Sequence, residues 1–218
     1  MSLRVLIVDD QELLRSAIAL MLDRDARVTD VATVSSGEAA VEHVRAHAVD
    51  VVLMDIRMPG MDGIAATREV LRVRPSARVL ILTTFDLDEY VYAAIREGAS
   101  GFLTKDATPT ELADAAAAVA AGESVMSARA TAALIGFVRD GAPAADPAAV
   151  LSQLTPREQE VARALATGAS NEDIARRLFL SANTVKTHVK AVLAKLGVPD
   201  RVHVVIWAYE NGVLRPRA

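Results

Sequence analysis

Five short apolar runs alternate with segments of helical periodicity over the first 121 residues of the chain. An unbroken apolar run that ends in a turn rich in proline and glycine, such as Val51–Met54 before Asp55, is typical of a strand buried on both faces. Strands that alternate with helices predict an α/β fold with a parallel, doubly wound sheet and right-handed crossovers. The natural strand order for five such units is 2-1-3-4-5. The predicted strands are Leu3–Val8, Val28–Val34, Val51–Asp55, Arg78–Thr83 and Gly101–Thr104.

Helix boundaries in this part of the chain are marked by residues that cap helices. Ser36 is a candidate N-cap, and Gly98 is a candidate C-cap. Thr108 and Glu111 flank a proline at the first helical position, which is the pattern of a capping box. Pro75 is expected to end the helix that begins near residue 63.

Polar residues follow four of the predicted strands where each strand ends. Asp9 and Asp10 follow the first strand, Asp55 ends the third, Thr83 ends the fourth, and Lys105 follows the fifth. The carboxyl edge of an open α/β sheet is where ligands bind. Three neighbouring carboxylates repel one another unless a cation is present, and oxygen ligands without His or Cys favour Mg²⁺. A carboxylate surrounded by Mg²⁺, an ammonium and a hydroxyl is suited to accept a phosphoryl group, so we predict that Asp55 becomes an aspartyl phosphate.

The segment 122–151 has the composition of a linker. Residues 128–138 have the spacing of one further helix, and residues 140–147 are small, polar and rich in proline. We therefore predict a linker that is partly helical and then poorly ordered around 140–150.

Residues 152–218 predict a small all-α domain of four helices. Thr155, Ser170, Ser181 and Asp200 are the candidate N-caps, and Gly197 is expected to end the third helix. A short helix, a tight turn and a longer basic helix form the pattern of a helix-turn-helix.

Charge and lysine use divide the chain in the same place. Residues 1–151 hold 14 Arg/Lys and 22 Asp/Glu, whereas residues 152–218 hold 10 and 6. A basic second domain is suited to a polyanion. The chain has 20 Arg and only four Lys, which are Lys105, Lys186, Lys190 and Lys195. Each lysine is therefore a candidate for a position where a compact ammonium is needed.

Composition also excludes several classes of protein. The absence of cysteine excludes disulfides and thiolate metal sites. No apolar run approaches the roughly 20 residues of a membrane span. The N-terminus leads directly into a strand without a basic segment and cleavage site, so we expect a cytoplasmic protein with no membrane partner.

The longer helix from Ser181 has two contrasting faces. Its apolar stripe consists of Val185, Val189, Val192, Leu193 and Leu196. Asn183, Thr187 and Lys190 lie opposite, with Lys186 at the flank, and residues 181–196 contain no acid. Such a helix fits the major groove of DNA, where one lysine can meet a base edge and the other a phosphate.

Residues 1–121 resemble the receiver domain of response regulators, a flavodoxin-like fold. The resemblance is carried by four motifs: Asp9-Asp10, the stretch from Met54 to Gly63 that contains Asp55, Thr83-Thr84, and the stretch from Gly98 to Lys105. It implies that Asp55 accepts phosphate from a sensor histidine kinase. It also implies that Asp9, Asp10, Asp55 and the backbone carbonyl of Arg57 bind Mg²⁺. Thr83 and Lys105 would then draw in toward the phosphoryl oxygens, and Phe102 would move inward behind Thr83.

Residues 152–214 resemble the output domain of LuxR-type regulators, and together with the receiver they resemble the NarL/FixJ family. The matching motifs are Leu154–Glu158, Asn171–Ala175 and Thr184–Val189. The resemblance implies binding to double-stranded DNA as a homodimer that forms on activation. It makes the following residues the DNA-contact candidates: Thr184, Lys186, Thr187, His188 and Lys190. His188 lies beside the apolar stripe, so a phosphate contact and a partly buried structural role both remain open.

The last helix carries apolar residues on two sides. Val202, Val205, Ile206 and Tyr209 form the expected core face. Val204, Trp207, Ala208 and Asn211 recur at helical spacing on the other side, and we predict that they form a dimer seam, as in the family.

The leading interpretation is a transcriptional regulator that is switched by phosphorylation of Asp55 and is not a turnover enzyme. One alternative is a Mg²⁺-dependent phosphohydrolase, although such enzymes commonly carry the nucleophile on the first strand. Another is a receiver whose helical output binds protein. We further hypothesise that Arg57 and Thr84 slow hydrolysis of the phosphoryl group by crowding the attacking water.

Overall fold

The computed structural model describes residues 2–83, 88–126 and 150–214, without the side chains of residues 88 and 89. The chain forms two compact units, Met1–Ala133 and Leu134–Ala218, and each is described by itself. The predicted linker helix at 128–138 and the predicted poor order around 140–150 fall on residues outside the described ranges, apart from Val150. Thr84 also lies outside them.

The first unit is built on a five-stranded parallel sheet in the order β2-β1-β3-β4-β5, which confirms the predicted topology. The strands are β1 (Leu3–Val8), β2 (Val28–Val34), β3 (Val51–Asp55), β4 (Arg78–Thr83) and β5 (Gly101–Thr104), with the predicted bounds. Every residue of β3 is buried, as expected for the central strand of a sheet covered on both faces.

Five helices belong to the described part of this unit. They are α1 (Glu12–Leu22), α2 (Gly37–Ala46), α3 (Gly63–Val73), α4 (Asp88–Arg96) and α5 (Pro109–Ala120). Helices α1 and α5 pack together and share one apolar core with alternate residues of β1, β3 and β4. The neighbouring helices α2, α3 and α4 contact one another in sequence order.

Capping residues begin these helices where the sequence indicates. The Ser36 hydroxyl accepts a hydrogen bond from the Ala39 amide, and Thr108 and Glu111 form the predicted capping box. Each such cap contributes about 1 kcal/mol of stability. Gly98 adopts a left-handed φ of 105° just beyond α4, as its predicted C-cap role requires.

The first unit continues beyond the predicted domain end at residue 121. The Val125 carbonyl accepts a hydrogen bond from the Phe102 amide at 2.7 Å, and a bridge joins Val125 to Gly101. A Cβ at position 101 would lie 2.5 Å from that carbonyl oxygen, so glycine permits the approach. The residues that follow α5 therefore cover the free edge of β5.

The second unit contains four helices between residues 156 and 210. They are α6 (Pro156–Ala166), α7 (Asn171–Leu178), α8 (Ala182–Leu196) and α9 (Arg201–Glu210). Thr155, Ser170, Ser181 and Asp200 all cap them as predicted, and Gly197 ends α8 with a left-handed φ of 67°. Residues from all four helices, together with Leu151 and Leu154, form one apolar core.

The structure contradicts the predicted dimer seam of α9 at Val204 and Ala208, whereas Trp207 and Asn211 are half-buried and stay predicted seam residues. Val204 and Ala208, which were predicted to form a dimer seam, are buried. Val204 belongs to the apolar core of its own unit, and Trp207 packs against that core. Of the expected core face, Ile206 is buried, but Val202, Val205 and Tyr209 are only half-buried. The helix is apolar nearly all round, so the spacing of its residues did not determine which side faces inward.

Among the described residues, no helix has the length and apolar character needed to cross a lipid bilayer.

Candidate functional site

The polar residues at the strand ends converge because of the parallel register. Val8 pairs with Met54, Asp55 pairs with Leu82, and Thr83 pairs with Thr104, so the carboxyl ends of four strands form one edge. The next residues along β1 and β5 are Asp9 and Lys105. The sheet therefore brings two carboxylates and one ammonium to the same place.

Lys105 forms a bridge between the two aspartates. Its Nζ lies 2.7 Å from Asp9 Oδ2 and 2.9 Å from Asp55 Oδ2. The side chains of Lys105 and Asp9 are 6% and 1% exposed. Because little water reaches this site, the two anions depend on the ammonium for compensation, and the charge interactions are stronger than they would be at the surface.

The pKa values of the two facing groups reflect this competition. Burial raises the pKa of the Asp55 carboxyl above its usual range and outweighs the opposing effect of Lys105. Burial alone would lower the pKa of Lys105, but the Asp9 and Asp55 carboxylates raise it above its ordinary value. Lys105 is therefore a permanent cation at neutral pH, and Asp55 is destabilised in its charged form.

Backbone contacts orient the two carboxylates. Asp9 Oδ1 accepts a hydrogen bond from the Gln11 amide at 2.8 Å, and Asp55 Oδ1 accepts one from the Ile56 amide at 2.9 Å. Arg15, which is half-buried on α1, donates to the Asp9 carbonyl at 2.6 Å. No sequence motif marks Arg15, because this contact depends on how α1 packs.

The acidic residues fit a hard divalent cation. One carboxylate oxygen from each of Asp9, Asp10 and Asp55 lies within 4.8 Å of the others. Asp10 is exposed, whereas Asp9 Oδ2 is buried and accepts no hydrogen bond from the described residues, although the Lys105 ammonium is near. Oxygen ligands that are partly open to solvent are those that Mg²⁺ prefers, because this ion retains several waters.

A glycine allows α3 to begin close to the end of β3. The Gly63 amide donates to the Ile56 carbonyl at 2.9 Å, and a Cβ at this position would lie 1.9 Å from the Asp55 carbonyl oxygen. Any larger residue would therefore displace the strand end that carries Asp55. Position 63 therefore requires glycine for steric reasons.

The Arg57 side chain lies near an aromatic ring of α4 in this structure. Its guanidinium carbon lies 6.0 Å from the centre of the Tyr90 ring on α4. The two side chains line an open cleft of about 450 Å³ with Met58, Pro59 and Asp62. The reach of Arg57 toward a phosphoryl group, suggested by its place two residues after Asp55, would require it to leave Tyr90.

Thr83 ends β4, the strand next to Asp55, and Phe102 lies on β5, one strand further away. Thr83 is half-buried, and its carbonyl accepts a hydrogen bond from the Lys105 amide at 2.9 Å. Phe102 is only 3% exposed. The expected movement of Phe102 from outside to inside is therefore not available from this conformation, since the ring already lies in the interior.

The second unit presents the predicted polar face on α8. Val185 and Val192 are buried, and the rest of the apolar stripe packs against them. The side chains on the opposite face are exposed; they are Asn183, Thr184, Lys186, Thr187 and Lys190. His188 is half-buried, which leaves both of its suggested roles open.

Lys195 has a different role from the other two lysines of α8. Its Nζ lies 2.8 and 2.6 Å from the two carboxylate oxygens of Glu158, which also caps α6 through the Thr155 amide. The Lys195 ammonium and the Thr155 contacts lower the pKa of Glu158 to about 2. The pair ties α8 to α6, and the scarcity of lysine was the signal in the sequence that could have revealed it.

The fold and the two sites define a class of protein in which an α/β unit with an acidic, lysine-bearing site is joined to a helix-turn-helix unit. Residues 5–117 match the response regulator receiver domain, and residues 152–208 match bacterial regulatory proteins of the luxR family. The chain belongs to the response regulators that combine these two domains, the NarL/FixJ family.

Individual relatives cover almost the whole chain. The transcriptional regulatory protein YxjL of Bacillus subtilis is 36% identical over 98% of this chain and 98% of its own length. The DNA-binding transcriptional activator DevR/DosR of Mycobacterium tuberculosis is 38% identical over 98% and 97%. The crystal structure of the response regulator ChrA, from a heme-sensing two-component system, is 35% identical, covers 98% of this chain and 99% of its own, and has a TM-score of 0.53.

This membership decides among the alternatives of the sequence analysis. The chain is a response regulator with a luxR-type DNA-binding domain in a family of transcriptional regulators. It is not a turnover enzyme, so the phosphohydrolase alternative is set aside.

Proposed function

We propose that Asp55 is the phosphoacceptor and that a sensor histidine kinase supplies the phosphoryl group. The observation that carries the proposal is the buried Lys105 ammonium, which lies within 2.9 Å of Asp55 and 2.7 Å of Asp9. An Asp55 carboxylate oxygen would attack phosphorus while the bond to the histidine nitrogen breaks, which leaves an acyl phosphate. Lys105 would then exchange a contact with the carboxylates for a contact with a phosphoryl oxygen.

We propose that Asp9, Asp10, Asp55 and the Arg57 carbonyl hold Mg²⁺. When bound, this ion offsets the negative charge that collects on the transferring phosphoryl oxygens. Asp9 and Asp10 provide anionic oxygens, and Lys105 shares the remaining negative charge with the ion. Thr83, at the end of β4, supplies a hydroxyl on the side of the site away from β1, and Phe102 adjusts its packing behind it.

We propose that α8 enters the major groove and that Lys186 and Lys190 supply its cations. Thr184, Thr187 and His188 are the further contact candidates. The support is an exposed face of α8 on which no acid occurs, in a chain whose overall net charge is −4. The N-terminal residues of a recognition helix are those that reach base edges in helix-turn-helix proteins.

We propose a receiver of residues 1–121, extended by the Val125 contact, a linker of residues 122–151 and a DNA-binding domain of residues 152–218. Phosphorylation shifts a two-state equilibrium toward a homodimer that binds duplex DNA. Val204 and Ala208 are excluded from the dimer seam because they are buried inside their own unit. A regulator that binds the genome acts in the cytoplasm of a bacterium.

The test compares Asp55→Asn with the native chain after treatment with a small phosphodonor and Mg²⁺. We expect acid-labile labelling and tighter duplex binding in the native chain, and neither in the variant. Asp114→Asn, which changes an exposed aspartate of the same unit, is the matched control and should label normally. Normal labelling of Asp55→Asn would refute the assignment. Duplex binding that does not weaken as salt is raised would favour a protein-binding output instead.

A further inference from the structure

The turn between α7 and α8 displays an aromatic ring to solvent in an unfavourable backbone conformation. Phe179 is 96% exposed, the highest value among the large apolar residues that the structure describes as exposed. Its φ and ψ are 54° and 47°, and it is the one residue other than glycine with a positive φ in the described ranges. A bulky side chain in this region is a genuine exception.

Glycine is the residue that this position would ordinarily hold. The C-cap of α8 uses Gly197 in the same left-handed conformation, and Gly98 serves in the same way after α4. A phenylalanine at the end of α7 therefore combines two local costs, the backbone strain and the exposure of an apolar ring. A glycine or asparagine would remove both, so folding alone does not account for Phe179.

The neighbouring contacts hold the ring outward. Leu178 and Leu180, on either side of Phe179, pack against the core of the unit. The Phe179 and Leu180 amides both donate to the Ala175 carbonyl, and Arg157 donates to the Leu178 carbonyl. With both neighbours fixed in this way, the ring is directed to solvent by a well-anchored turn.

The position of this turn indicates what the ring meets. Phe179 precedes Ser181, the N-cap of α8, by two residues, which limits the Cα–Cα distance to about 7 Å. Phe179 therefore lies next to the N-terminal end of α8, the helix that is proposed to enter the groove. Arg177, at the end of α7, is also exposed and forms no ion pair or hydrogen bond with a described residue. An exposed cation and an exposed apolar ring two residues apart in the chain are complementary to a sugar–phosphate strand, which alternates anionic phosphates with the carbon surface of deoxyribose.

We propose that Phe179 and Arg177 form a backbone clamp that binds the DNA strand bordering the groove entered by α8. Arg177 contacts a phosphate, and the Phe179 ring packs on an adjacent deoxyribose. Because neither contact reads a base edge, the clamp adds affinity on any sequence and fixes the orientation of α8. The inference rests on the proposed placement of α8 in the groove.

The experiment measures binding of the full chain to a fluorescein-labelled duplex of mixed sequence by anisotropy over a range of salt concentrations. Such a duplex suffices because contacts to the DNA backbone do not depend on sequence. Phe179→Gly should weaken binding about tenfold through loss of apolar contact, with an unchanged salt slope. Arg177→Gln should weaken binding and make the negative slope of log K against log salt shallower by about 0.9, the value for one phosphate.

Stability provides the second readout. Phe179→Gly removes backbone strain, so the melting temperature followed by Trp207 fluorescence should rise while DNA binding falls. If Phe179 had only a structural role, the melting temperature and the DNA affinity would not change in opposite directions. Phe179→Leu should keep most of the affinity because it keeps apolar bulk. Leu13→Ala, which trims another exposed apolar residue on α1, should bind as the native chain does.

Native affinity in Phe179→Gly would overturn the clamp, and so would equal losses in Phe179→Gly and Phe179→Leu. Reduced transcription with unchanged duplex affinity would also overturn it and would indicate a protein partner for the ring. Loss of binding in Lys186→Gln/Lys190→Gln tests the placement of α8 separately. If that variant binds normally, the proposed function fails; if it loses binding while Phe179→Gly does not, the clamp fails alone.

Discussion

The two units of this protein use the same rare residue in opposite environments. Lys105 is 6% exposed and lies between two carboxylates in the receiver, whereas Lys186 and Lys190 are exposed on a face of α8 without an acid. In the first case the charge is compensated inside the protein by the Asp9 and Asp55 carboxylates. In the second it is left for an anion outside the chain. Burial and local counter-charge, rather than residue type, decide which role a lysine takes.

The largest expected effect comes from breaking the buried bridge. Lys105→Met leaves the Asp9 and Asp55 carboxylates facing each other without a cation, and removing one partner of a buried ion pair costs about 3–5 kcal/mol. We expect the free energy of unfolding of the first unit to fall by about that amount in denaturant titrations without divalent ions. Mg²⁺ should restore much of the loss, because it supplies the missing positive charge.

Arg27→Met is the matched control for this variant, since Arg27 also bridges two aspartates, Asp25 and Asp114, but does so at the surface. Its effect should be much smaller and should not respond to Mg²⁺. Equal losses in the two variants would contradict the comparison, as would a Lys105→Met protein that is fully stable without divalent ions.

The second prediction concerns the exposed lysines. Lys186→Gln/Lys190→Gln should weaken duplex binding by one to two orders of magnitude at moderate salt. The negative slope of log K against log salt should become shallower by about 1.8 if both lysines contact phosphate. Thermal stability should change by less than about 0.5 kcal/mol, because both side chains are exposed. A slope that becomes shallower by only about 0.9 would mean that one lysine contacts a base edge instead.

Sequence patterns predicted most of the fold because its signals are local. The strand bounds follow from continuous apolar runs, and six N-caps, from Ser36 to Asp200, are read from a hydroxyl or carboxylate ahead of a helical repeat. The convergence of Asp9, Asp55 and Lys105 also follows from the sequence, since parallel strands end at one edge of the sheet. These features depend on order along the chain rather than on detailed packing.

What the sequence did not determine depends on contacts between distant elements. The inward face of α9 is set by how α9 packs on α6, because residues 202–209 are mostly apolar on every side. The Glu158–Lys195 pair joins residues 37 positions apart, and the direction of Arg57 depends on Tyr90, which lies on a different helix. Likewise, the exposure and backbone conformation of Phe179 are visible only in three dimensions.

The third prediction concerns the Glu158–Lys195 pair, in which the lysine has a structural contact that Lys186 and Lys190 lack. The pKa of Glu158 is lowered from 4.5 to about 2 in the folded protein, so the pair with Lys195 stabilises the second unit above pH 4.5 and is lost as pH falls toward 2. Glu158→Gln should therefore melt at a lower temperature than the native chain near neutral pH, and the difference should shrink on acidification. Trp207, the one tryptophan of the chain, provides the fluorescence signal for this unit.

Glu172→Gln, which removes an exposed glutamate from α7, is the control and should melt like the native chain across the same range. If the difference in melting temperature between Glu158→Gln and the native chain does not depend on pH, the charge of Glu158 is not what stabilises the second unit.

The smallest expected effect concerns Arg57. This residue is exposed like Lys186 and Lys190, yet it belongs to the loop that follows Asp55. In the structure it rests over the Tyr90 ring, a contact that contributes about 0.5–1 kcal/mol at an exposed site. Arg57→Ala should thus lower stability only slightly. If Arg57 leaves Tyr90 for the phosphoryl group and crowds the attacking water, the phosphorylated half-life should also shorten severalfold. Tyr90→Leu, which frees Arg57 without removing it, should lengthen the half-life. An unchanged half-life in Arg57→Ala would discard the crowding hypothesis and leave Arg57 as a surface partner of α4.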